Sequence, residues 1–174
     1  ILVTDTAGVL SLGGIMGGAD SEISDETTNV LLEAANWNFI SIRRTQQAHK
    51  LFTEAGTRFS RNVHPSRAIL GVKRGIELMR QTGGGEIAEG VIDDYPNKPD
   101  PVEVTLPIDD VQRLLGMEIS IQQAADVLSR LRFEVTIDGE DIHAVAPDYR
   151  TDIGTGDVGI ADLIEEIARI IGYD

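Results

Sequence analysis

The chain has no cysteine among its 174 residues, which removes disulfides, thiolate zinc sites and cysteine nucleophiles from consideration. That absence suits a reducing compartment. No stretch approaches the roughly 20 apolar residues that a membrane helix needs, so no spanning segment is expected. Positive charge is scarce: 15 Lys+Arg stand against 29 Asp+Glu, a net charge of −14. Catalytic signatures are missing too. His49, His64 and His143 are scattered, with no HExxH, no GxSxG elbow and no Ser-His-Asp order, which argues against a self-contained hydrolase. The chain opens inside a strand-like run, Ile1-Leu2-Val3-Thr4, and stops after Gly172-Tyr173-Asp174. A piece of a longer polypeptide is expected. What remains, 41% hydrophobic and 25% charged residues, is the composition of a folded protein with room for two small domains.

The cations are not evenly spread. Ser41–Arg80 holds nine of the 15 cations and two of the 29 acids, a net +7 against −21 elsewhere. Such clustering is the footprint of a phosphate-backbone contact, although basic helices that merely face water read the same way. Along the chain, Ile1–Thr4 and Gly8–Leu12 read as strands joined by a turn, and Asn29–Asn36 as a buried strand. Phe39–Leu51 and Pro65–Gln81 read as helices, the second with Ile69, Val72, Ile76 and Met79 on one face and Gly83-Gly84-Gly85 as its stop. Glu86–Asp93 returns as a strand. Tyr95–Pro101 holds three of the 6 prolines and reads as the linker between domains 1–95 and 102–174, with 96–101 as its centre. Beyond it lie a strand at Val102–Leu106, a helix at Asp109–Leu115 capped by Asp109 with Gln112, and a helix opened by a Ser120/Gln123 capping box. A hairpin about Asp138-Gly139 and a helix from Asp157 to Ile171 complete the second half. The fold class is α+β: two small mixed domains, the first with a mixed sheet plus helices, the second winged-helix-like with a hairpin and a C-terminal helix. Five cations against 16 acids in Pro101–Asp174 exclude DNA binding for that half despite its paired helices.

Three features carry chemistry. Gly13-Gly14-Ile15-Met16-Gly17-Gly18 lets a ligand approach the backbone closely, or simply makes a tight connection between strands; it fits neither the P-loop nor the dinucleotide fingerprint. Glu33 sits among Leu32, Ala34 and Ala35 in the expected buried strand. A carboxylate there needs a partner, either an ion pair with Arg43 or Arg44 or a ligand hydroxyl. Asp162, Glu165 and Glu166 stand at i, i+3, i+4 on the last helix, with Asp152 a short loop upstream. That set suits a hard cation such as Mg²⁺, or else a helix start whose dipole favours acids.

Gly13-Gly-Ile-Met-Gly-Gly18, Val30-Leu-Leu-Glu-Ala-Ala35, Ser41-Ile-Arg-Arg44 and Thr53-Glu-Ala-Gly-Thr-Arg-Phe-Ser-Arg61 occur in that order. Together they resemble the editing-domain half of the bacterial phenylalanine–tRNA ligase beta subunits. Leu114-Leu-Gly116, Leu128–Val135 and Asp162-Leu-Ile-Glu-Glu166 through Gly172-Tyr-Asp174 resemble the small domain that follows it. The resemblance implies a segment of a cytoplasmic (αβ)₂ class II synthetase that charges tRNA(Phe) using ATP and Mg²⁺, with the aminoacylation site on the alpha subunit. It implies an editing pocket for tRNA mischarged with tyrosine, with Gly14 and Gly17 lining it, Glu33 taking the tyrosine hydroxyl and Ala35 shaping the wall. It also implies a Mg²⁺ site at Asp152, Asp162, Glu165 and Glu166, beside the alpha subunit, and makes Arg43, Arg44, Arg58 and Arg61 candidates for facing tRNA. Two departures stand out: about four extra residues within Gly154–Gly159, and Ser60, Asn62 and His64 where the family commonly has Glu, Gly and Asp. The segment alone is expected to lack full editing activity. The alternative is a non-catalytic RNA- or protein-interaction module built on the same folds.

Overall fold

A computed structural model describes residues 1–172 and divides the chain into two units, Ile1–Pro96 and Asn97–Asp174. Tyr173 and Asp174, the end of the second resembling motif, lie outside the described residues. The architecture is α+β in both units. No helix among the described residues is long and apolar enough to cross a membrane.

In unit 1, β1 (Leu2–Thr4), β2 (Val9–Leu12) and β3 (Met16–Gly17) form an antiparallel sheet in that order. Asp5 makes the first turn by accepting the Ala7 and Gly8 N–H groups on Oδ1, at 2.8 and 2.9 Å. The expected mixed sheet is therefore a small antiparallel one, because a two-residue strand folded back from the glycine turn supplies its third member. α1 (Phe39–His49) starts where Asn38 accepts the Ser41 N–H, and Lys50 ends it in the left-handed conformation. α2 (Glu54–Phe59), unforeseen in the sequence, is short and capped by Thr53. α3 (Arg67–Gly83) begins just after Pro65 and stops at Gly84, and none of its residues is buried.

Asn29–Asn36 and Glu86–Asp93 are not strands. Neither lies in a ladder, since the unit-1 sheet consists of β1, β2 and β3 alone. The 29–36 segment instead runs past α3 in an alternating way. A Cβ on Gly75 would lie 3.0 Å from Leu32, and one on Gly71 3.7 Å from the Ala34 Cβ. With Leu32 and Ala34 turned to the helix, Leu31 and Glu33 fall on the outer side and are exposed.

In unit 2, β4 (Glu103–Pro107), β6 (Asp141–Val145) and β5 (Glu134–Asp138) form an antiparallel sheet in the order β4-β6-β5, the β5–β6 hairpin turning at Gly139 with φ +60°. Against it pack α4 (Ile108–Leu115), α5 (Ile121–Arg130) and α6 (Gly156–Ile171), around the fully buried Leu106, Val111, Leu128, Ile142, Leu163 and Ile167. The Ser120/Gln123 capping box forms as expected. The Asp109 cap does not: Pro107 holds that position, Asp109 enters the first turn, and Gln112 donates to the Ile119 carbonyl at 2.9 Å. On α6, Leu163, Ile164 and Ile167 reach the core and Ile160 is partly buried, whereas Ile171 remains exposed.

Candidate functional site

The glycine turn between β2 and β3 gives unit 1 its cleft. Its amides are largely consumed within the hairpin. Gly13 N–H donates to the Ile1 carbonyl, Ile15 N–H to Leu12 and Gly18 N–H to Leu10, at 3.2, 2.9 and 2.8 Å. What the missing side chains leave room for is the indole of Trp37. A Cβ on Gly13 would lie 2.6 Å from Trp37 Cζ3, and one on Gly14, where φ is +68°, 2.5 Å from Cδ1. The Thr53 hydroxyl donates to the Ile15 carbonyl at 2.8 Å and accepts the Gly56 N–H at 3.0 Å, fastening the turn to α2. Asn36 Nδ2 donates to the Val63 carbonyl, tying the 29–36 segment to the loop between α2 and α3.

Between these segments opens a cleft of about 460 Å³, walled by Trp37, Phe59 and Val63. Three of the four expected pocket residues, Gly14, Glu33 and Ala35, line it. Gly17 does not; it lies in β3, with open space where a side chain would be. Glu33 is exposed at the cleft instead of buried in a strand, and pairs with neither Arg43 nor Arg44. Burial does not force a partner on it, so its carboxylate is a solvated acceptor beside an apolar wall. His64 lines the cleft as well; its Nδ1 accepts the Ser66 N–H at 3.3 Å and lies 2.9 Å from Ser66 Oγ.

Unit 2 disposes its four expected ligands differently from a cation site. Arg150 donates from Nε to Asp152 Oδ1 at 2.9 Å and from Nη2 to Oδ2 at 2.7 Å, while Nη1 reaches Glu166 Oε2 at 3.0 Å. Arg169 adds a 2.5 Å bond to the same Glu166 oxygen. Asp162 Oδ2 accepts the Gly154 N–H at 2.8 Å, closing the loop before α6, and Glu165 is exposed. Hydrogen bonding from Arg150 holds the Asp152 carboxyl below its ordinary value. Burial pushes the Glu166 carboxyl up, and the bonds from Arg150 and Arg169 more than reverse it, for a net lowering. Arg150 itself is held still more firmly protonated, chiefly by its hydrogen bond to Asp152. Among the described residues no group of three or more His, Asp or Glu is placed to hold a metal, and with Arg150 seated these acids do not fit one. Asp152 thus pairs with Arg150, two residues before it, and Asp162 with the loop backbone.

Residues 1–84 match the B3/4 domain family, and residues 104–173 match the tRNA synthetase B5 domain family. The whole chain is similar to phenylalanine–tRNA ligase beta subunits. It is 34% identical over 174 residues to the phenylalanine–tRNA ligase beta subunit of Salinibacter ruber, covering all of this chain and 20% of that one. The beta subunit of Moorella thermoacetica is 38% identical over 174 residues, with 100% and 21% covered. That of Rhodopirellula baltica is 38% identical over 173 residues, with 99% and 25% covered. The chain thus spans a fifth to a quarter of the length of these curated relatives.

Within unit 1 the basic residues divide by use. Arg43 is a framework residue: Nε donates to the Ser60 carbonyl at 2.8 Å and the guanidinium lies 5.1 Å over the Phe39 ring. Arg58 makes an exposed i,i+4 pair with Glu54 at 3.4 Å. Arg44 and Arg61 are exposed. The sequence reading missed Trp37, Phe59 and His64. Trp37 carried a signal, being the single Trp, downstream of two adjacent glycines that need a flat partner.

Proposed function

We propose that this chain is the editing and subunit-contact segment of a phenylalanine–tRNA ligase, working with the alpha subunit in a cytoplasmic (αβ)₂ class II synthetase. That assembly attaches phenylalanine to tRNA(Phe) with ATP and Mg²⁺, and the unit-1 cleft takes the tyrosyl end of mischarged Tyr-tRNA(Phe). The observation that carries this reading is the convergence of Gly14, Glu33 and Ala35 on one aromatic-walled cleft. Glu33 accepts the phenolic O–H while Trp37 and Phe59 meet the ring; phenylalanine has no hydroxyl to donate. Because Glu33 is exposed, phenylalanine leaves no buried group unpaired, and the discrimination is worth one charge-assisted hydrogen bond. That is about 1.5–3 kcal/mol, roughly 10- to 100-fold, and not the 10⁴-fold of a fully buried acceptor. ATP is used elsewhere in the assembly, and no step here runs through Mg²⁺, since Arg150 occupies Asp152 and Glu166.

In the complete ligase, Glu33→Ala is expected to let Tyr-tRNA(Phe) accumulate with phenylalanine charging intact. Deacylation at the unaltered rate would remove Glu33 from the reaction. The alternative, a non-catalytic interaction module, draws on α3, whose Ile69, Leu70, Leu78 and Met79 are exposed. It predicts that neither Glu33→Ala nor Glu33→Gln changes deacylation.

A further inference from the structure

We propose that His64 is a second polar contact of the unit-1 cleft, donating from Nε2–H to a carbonyl or carboxylate oxygen of the bound aminoacyl group while Glu33 takes the side-chain hydroxyl. The proposal rests on the editing reading for the identity of the ligand. Its physical basis is the fixed orientation of one ring. His64 lies half-buried in the loop between α2 and α3, which Asn36 ties to the segment bearing Glu33. A backbone N–H can only donate, so the bond from Ser66 N–H makes Nδ1 the acceptor and places the hydrogen of the neutral ring on Nε2. Nε2 has no hydrogen-bond partner among the described residues.

Beside Asn36 and Arg67, the cleft therefore offers two polar points of opposite sense. The Glu33 carboxylate accepts, the His64 Nε2–H donates, and Trp37 and Phe59 present aromatic wall on the same cleft. A ligand that satisfies both has a donor at one end of an aromatic ring and an acceptor at the other, which describes a hydroxylated aromatic amino acid joined through its carboxyl group. A volume of about 460 Å³ lies in the range of small-molecule sites.

The test uses the 174-residue chain with L-tyrosine and with tyramine, which keeps the phenol and lacks the carboxyl group. Loss of one hydrogen bond to a charged acceptor predicts that His64→Ala weakens L-tyrosine about tenfold and leaves tyramine within twofold. His64→Gln, which keeps an N–H donor, restores most of the difference. Glu33→Ala weakens both ligands alike. In the unaltered chain, L-tyrosine shifts the His64 Nε2 resonance in ¹⁵N NMR and tyramine does not, a readout independent of whether any variant folds. Unchanged L-tyrosine binding by His64→Ala, or equal loss of both ligands, overturns the role of His64. Wild-type binding that Glu33→Ala leaves untouched overturns the Glu33 reading alone. No saturable binding of L-tyrosine by the wild type overturns both.

Discussion

Replacing Arg150 by Met removes a guanidinium that touches two carboxylates and keeps an aliphatic stem near the Phe133 ring, over which the guanidinium sits at 5.9 Å. The two lost contacts differ in worth. Glu166 has a side chain only 10% exposed, so losing a charged hydrogen bond there costs about 1.5–3 kcal/mol, tempered by the Arg169 bond that survives. Asp152 is 65% exposed and regains water, contributing no more than about 0.5 kcal/mol. The expected loss is about 2–3 kcal/mol, which lowers the Tm of a unit this small by roughly 10–20 °C. Circular dichroism on the 174-residue chain reports both units and Trp37 fluorescence reports unit 1 alone, since the only Trp lies there, so a transition seen by the first and not by the second belongs to unit 2. Arg150→Met with Glu166→Met removes both partners and should recover most of the loss. Both carboxyls have lowered folded pKa values, so their contribution is present above the unfolded carboxylate range near pH 4 and disappears as pH falls through the folded values. The gap between Arg150→Met and the unaltered chain should therefore close in acid. A Tm change under about 3 °C at pH 7, or a double variant as unstable as the summed singles, would refute this account.

Gly14→Ala forces a side chain onto a φ of +68° and into the indole at 2.5 Å, so about 1–3 kcal/mol of unit-1 stability should go and Trp37 emission should shift to the red. Unchanged emission would show that the indole does not rest on this glycine. For tRNA(Phe) binding by the complete ligase, Arg44→Ala and Arg61→Ala should each flatten the dependence on log salt by about one unit, with slopes unchanged if neither meets a phosphate. Arg43→Ala should instead lower unit-1 stability, because that residue holds Ser60 and Phe39.

Most of unit 2 was legible because its signals are local and agree with one another. The capping box at Ser120, the turn at Asp138-Gly139 and the apolar spacing of Leu163, Ile164 and Ile167 each specify an element without reference to the rest of the chain. Unit 1 was less legible where structure depends on partners. Val30-Leu-Leu reads as strand by apolarity, yet a strand needs a neighbouring edge, and none is paired with it. The same dependence misplaced Glu33. An apolar context implied burial, but alternation against α3 gives the inward places to Leu32 and Ala34. The acids of α6 were legible as a cluster but not as ion-paired, because Arg150 approaches from a loop that no spacing rule connects to the helix.

The glycine run, left open between a ligand-binding loop and a tight connection between strands, shows how that choice changes chemistry. Read as free backbone, Gly13–Gly18 offers amides to an anion; folded, it spends amides on Ile1, Leu12 and Leu10, and gives its vacant side-chain space to an indole. Recognition in unit 1 must then come from side chains around the cleft, where Glu33 can only accept and the Nε2–H of neutral His64 can only donate. Selectivity follows from that division. A ligand lacking its hydroxyl loses the Glu33 contact but keeps the aromatic wall, so it binds more weakly without being repelled. Strict rejection of phenylalanine would need the Glu33 carboxylate removed from water, and the open side of 29–36 is where a covering segment would have to lie.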